Sequence, residues 1–66
     1  MQVNKLKAKL VEQGINVETL AELIGTERSS LYRKLNNAEK ITIGEAKKIK
    51  EALSMDNQEA YEIFLT

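Results

Sequence analysis

Apolar residues recur along this chain at intervals of three and four, with polar residues filling the positions between them. That spacing puts the apolar side chains on one stripe of a helix, and no stretch shows the strict alternation of a half-buried strand. Val3, Leu6 and Leu10 predict a first helix over about 2–13, stopped by Gly14, with Ile15 plugging the core behind it. Asn16 is placed to cap a second helix over about 17–24, and Gly25 follows its last apolar residue, where a left-handed residue usually ends a helix. A third helix is expected over about 27–35. Thr42 with Glu45, and Asp56 with Glu59, form Thr/Asp-x-x-Glu capping boxes ahead of a fourth helix and a fifth over about 57–65. Leu6, Leu10, Ile15, Leu20, Ile24, Leu31, Leu35, Ile49, Leu53 and Phe64 are the expected core. Burying each gains about 1.5–3 kcal/mol, enough to offset chain entropy in a small domain. The pattern predicts an all-α, compact five-helix fold.

Residues 20–37 give this pattern a direction. Ala21 is small where two crossing helices approach, Gly25 supplies the turn, and Leu20, Ile24 and Leu31 fix the angle between the pair. Arg28, Ser29, Tyr32 and Arg33 are left pointing outward on the second helix of the pair. Arginine donates two parallel bonds to guanine, and serine or tyrosine reaches bases or phosphates, so the set suits a DNA major groove.

The segment resembles the helix-turn-helix of phage Cro and repressor proteins, the XRE-like family. The likeness runs back to Asn4 and on to about Asn37; the stretch from Ile41 to Leu53 resembles the helix that follows the recognition helix in small phage regulators, and the closing Glu62-Ile-Phe-Leu-Thr is similar to their end. The resemblance implies a single helix-turn-helix DNA-binding domain over residues 1–66, with its helix-turn-helix at about 17–36. It implies base contacts from Arg28, Ser29, Tyr32 and Arg33. It places contacts to the DNA backbone at Lys5, Lys9, Asn16, Val17, Ser30, Asn36, Asn37 and Lys40. Such contacts position a protein on DNA without reading sequence. At Val17, which replaces the amide or hydroxyl frequent in the family, the anchor has to be the backbone N–H. The implied partners are an operator in double-stranded DNA and a second copy, with the homodimer able to form on DNA, in the cytoplasm of a bacterial host.

Four further positions depart from the family pattern. Lys34 then Leu35 stand where many relatives have an apolar residue followed by an acid, and Leu10 replaces the arginine that pairs with that acid. Leu10 and Leu35 then suggest an apolar contact in place of an ion pair. The shift leaves Tyr32 either packed or groove-facing. Glu27 occupies a position usually held by serine or threonine, and its expected role is capping or a bridge to Arg28, with Thr26 as a substitute cap.

Charge complicates a DNA-binding reading, because ten basic and ten acidic residues cancel. Their distribution restores it. Residues 1–50 hold all ten bases and six acids, a net of +4, and residues 51–66 hold four acids and no base. With no cysteine and no histidine, a disulfide framework and the usual zinc sites are excluded. No glycine-rich phosphate loop or paired carboxylates appear, and Glu18 and Glu22 read as ordinary solvated acids. The expectation is therefore no enzyme, no metal, no cofactor and no small-molecule substrate. No apolar run is long enough to cross a membrane, and the first residues lack a signal-peptide core. A competing reading is a helical protein-interaction module, antirepressor- or antitoxin-like, working through the apolar face of residues 60–65 and the acidic tail.

Overall fold

The computed structural model describes residues 1–37 and 41–65. Five helices follow in order: α1 (Val3–Gln13), α2 (Val17–Ile24), α3 (Arg28–Asn36), α4 (Ile43–Ala52) and α5 (Asn57–Phe64). They enclose one core and extend 27 × 25 × 19 Å. The expected all-α, five-helix architecture is therefore present, with boundaries within a residue or two of those predicted.

Local chemistry explains the helix ends. Asn16 Oδ1 accepts from the Thr19 N–H at 2.8 Å and starts α2. Both capping boxes form: Thr42 and Glu45 at α4, Asp56 and Glu59 at α5. Helices α1, α2 and α4 stop by one shared device, in which the amide after the left-handed residue bonds a carbonyl five residues back. The bonds run from Ile15 to Leu10, from Thr26 to Ala21 and from Met55 to Lys50, at 2.9–3.0 Å. Gly14 (φ 68°) and Gly25 (φ 74°) take the left-handed position at no steric cost. Ser54 (φ 53°) takes it after α4, where a Cβ is unfavourable.

The core is Leu6, Leu10, Leu20, Ala21, Ile24, Leu31, Leu35, Ile49, Leu53, Met55 and Ile63. Ile15 and Phe64, expected inside, are only partly buried and pack against its edge. On α5 it is Ile63 that enters the core, and Met55 fills the corner between α4 and α5 that the spacing did not reveal. Leu10 and Leu35 are both core residues.

Polar bridges tie the helices together outside the core. Lys9 of α1 donates to Glu59 of α5 at 2.7 Å, and the Gln2 N–H donates to the Ile63 carbonyl at 2.6 Å. Gln13 Nε2 donates to the Leu53 carbonyl at the end of α4, at 2.6 Å. Lys34 of α3 bonds Glu45 of α4 at 2.5 Å. Among the described residues, no helix is long and apolar enough to cross a membrane.

Candidate nucleic-acid interface

Helices α2 and α3 form a tight pair. Ala21 is buried at their crossing, Leu20 and Ile24 project from α2, and Leu31 and Leu35 project from α3 into the same core. Three buried anchors on α2 and two on α3 fix the rotation of α3 about its own axis. That rotation decides what faces outward. Arg28, Ser29, Tyr32 and Arg33 are all exposed, along one side of α3. Tyr32 keeps 46% of its surface in solvent, so of the two positions open to it the outward one is adopted.

The start of α3 carries no side-chain cap. Glu27 is the N-cap residue in extended conformation (φ −75°, ψ 142°), and its carboxylate bonds none of the first-turn amides. The expectation that Glu27 caps the helix or bridges to Arg28 is corrected on both counts. Its side chain is too long for the compact cap that serine makes, and Arg28 turns instead to Glu18 on α2, at 3.2 Å. The Thr26 side chain does not replace it. The first-turn N–H groups of α3 are thus left without a side-chain acceptor.

The remaining candidates fall into different places. Val17 is half-buried at the first turn of α2, and Asn16 beside it accepts the Thr19 amide through Oδ1 while its amide group stays exposed. Ser30 is half-buried and accepts from Arg33 Nη2 at 3.3 Å. Asn36 and Asn37 are exposed where α3 ends, and Lys40 lies outside the described residues. Lys5 and Lys9 are elsewhere. They line the cleft between α1 and α5 together with Glu12, Glu59 and Glu62. The Lys9 side chain is only 15% exposed, and its ammonium sits on Glu59 and reaches Glu12 at 3.5 Å. Its hydrogen bond to Glu59 holds its pKa above the ordinary lysine value against the opposing effect of desolvation. A phosphate would have to displace that partner, so Lys9 is a poor clamp as the chain is folded.

Electrostatics separate α2–α3 from the rest of the chain. Residues 17–37 hold three acids (Glu18, Glu22, Glu27) and three bases (Arg28, Arg33, Lys34), and Lys34 is bonded to Glu45. The basic excess lies instead on α1 (Lys5, Lys7, Lys9) and α4 (Lys47, Lys48, Lys50). The outward face of α3 is thus two arginines among hydroxyls rather than a continuous basic field. It offers directed donors more than bulk attraction. Among the described residues, no group of acids could hold a metal ion.

A partner missed from sequence is Glu18. Its spacing to Glu22 marks it only as an exposed acid. The turn at Gly25 brings the first turns of α2 and α3 side by side, and only that fold places Glu18 against Arg28.

No curated protein and no solved structure matches the chain. The family model described as the Cro/C1-type HTH DNA-binding domain matches residues 5–64, nearly the whole sequence. With its paired helices α2 and α3 joined at Gly25, the chain belongs to the Cro/C1-type helix-turn-helix DNA-binding domain family.

Proposed function

We propose that this chain is a sequence-specific transcriptional repressor of the Cro type, acting as one domain and reading an operator's major groove with α3. The observation that carries the reading is the outward set Arg28, Ser29, Tyr32 and Arg33 on a helix whose rotation is fixed by buried Leu31 and Leu35. Arg28 and Arg33 read base edges. Ser30, Val17 and Asn16 through its free amide, with Asn36 and Asn37, meet the flanking phosphates. Lys40 extends that set, Lys5 is peripheral to it, and Lys9 is left out because Glu59 already engages it.

One recognition helix covers only a few base pairs, too few for useful discrimination among genomic sites. The working unit is therefore a two-fold dimer on a pseudo-palindromic operator, its reading helices about 34 Å apart. The dimer surface is an open apolar groove of about 630 Å³ between α4 and α5, lined by Ile41, Ile43, Ala46, Tyr61, Phe64 and Leu65. The same groove favours the second reading, a protein-interaction module.

Selection of bound duplexes from a random pool, followed by titration of Arg33→Ala, tests the proposal. Arg33→Ala is expected to weaken cognate binding by about 1–3 kcal/mol and leave random-duplex binding little changed. Equal losses on both would make Arg33 a phosphate anchor. No selected duplex at low salt would overturn operator reading in favour of protein interaction.

A further inference from the structure

We infer that Glu18 is a positioning residue for Arg28, and that the pair sets base preference at one operator position. The inference rests on the reading of α3 as the recognition helix. Arg28 is the first residue of α3, and its Nη1 lies 3.2 Å from Glu18 Oε1 in the first turn of α2. Both ends of the bridge are held by the fold. Asn16 caps the turn that carries Glu18, and the buried α2–α3 crossing sets the distance between the two helix starts. The positive end of α2 also favours a carboxylate at this place.

The chemistry follows from the shape of guanidinium. It presents five N–H donors in a rigid fork, and a carboxylate engaging one of them leaves others free for the O6 and N7 acceptors of guanine. Holding the side chain before contact removes part of the rotamer freedom that binding would otherwise freeze. Partial neutralisation matters as well. An arginine next to a carboxylate is drawn less to any passing phosphate but keeps its directed donors. Glu22 on α2 and Glu27 beside Arg28 are further exposed acids on the same two elements and reinforce that bias. Glu18 thus converts an indiscriminate cation into a base-selective one. Both groups are more than half exposed, so the bridge contributes little to folding. Its effect belongs to recognition.

The test is competition binding with duplexes carrying each single-base change of the selected site, for the unmodified chain, Glu18→Gln, Arg28→Ala and the double variant. Glu18→Gln is expected to lower discrimination at one base pair by roughly three- to tenfold and to tighten random-duplex binding. Arg28→Ala should lose preference at the same base pair, and adding Glu18→Gln to it should change nothing further there. Discrimination unchanged in Glu18→Gln but lost in Arg28→Ala overturns the role of Glu18 and leaves the α3 reading intact. Full discrimination in Arg28→Ala overturns the role of the pair and leaves base reading by α3 to Arg33. Thermal melts within a degree or two of the unmodified chain separate these effects from misfolding.

Discussion

The two sides of this small bundle invert one another. On α2–α3 the apolar residues other than Leu23 turn inward, and the outward face of α3 is arginine, serine and tyrosine. On α4–α5 the core takes Ile49, Leu53, Met55 and Ile63, yet Ile43 stays 89% exposed and Leu65 70%, around an apolar groove. One face is finished by polar groups with directed donors, and the other leaves apolar surface in water. The contrast teaches how 66 residues divide their labour: the polar face suits nucleic acid, and the apolar face suits a protein surface.

The comparison breaks most severely if the α2–α3 pair loses its anchor. Leu31 is fully buried, and Leu31→Ala is expected to cost about 2–5 kcal/mol, close to the whole stability of a small domain. Thermal denaturation followed by circular dichroism checks this, and DNA binding should vanish with the fold. A charge in the apolar groove should act on the other face alone. Leu65→Lys is expected to weaken self-association on operator DNA at least tenfold, about 1.4 kcal/mol, while half-site binding and melting stay unchanged. Sedimentation of the operator complex reads the stoichiometry, and an unaltered two-to-one complex would remove α5 from the interface.

Smaller effects sharpen the account of what holds the faces in place. Ser54→Gly relieves the one left-handed non-glycine residue among those described, and should stabilise the chain by about 0.5–1 kcal/mol, measured by urea denaturation. The pH dependence is smaller still near neutrality. Lys34, aided by the Thr42 cap, holds Glu45 below the ordinary glutamate value of 4.5 against the effect of burial. Its contribution is present above 4.5 and disappears as pH falls through the lowered folded value. Lys9 runs the other way. Raised above 10.5 chiefly by its hydrogen bond to Glu59, it contributes below 10.5 and the contribution is lost as pH rises through the folded value. Melting temperature should therefore be flat across the neutral range, and Glu45→Gln should differ from the unmodified chain at neutrality but converge with it in acid.

Much of this was legible because it is local. A helix stop at Gly25, a cap at Asn16 and the Thr42–Glu45 and Asp56–Glu59 boxes are each written within four or five residues. The family pattern then assigned a direction to α3. What was not legible joins distant positions. Lys9 meets Glu59 across fifty residues of sequence, and Arg28 meets Glu18 across ten, pairs that exist only once helices have packed. The exchange of Ile63 for Phe64 has a related cause. Adjacent apolar residues on a short helix fit the periodicity almost equally, and the neighbour's shape decides between them.

The Glu45 carboxylate has two oxygens and divides them between two helices. Oε1 accepts from the Thr42 amide and hydroxyl at the head of α4, and Oε2 accepts from Lys34 in the last turn of α3. A clasp of this kind joins the last turn of α3 to the head of α4 through side chains rather than through backbone. One carboxylate therefore serves both the start of α4 and its tie to α3, so a single substitution at Glu45 removes a helix cap and an inter-helix bridge together.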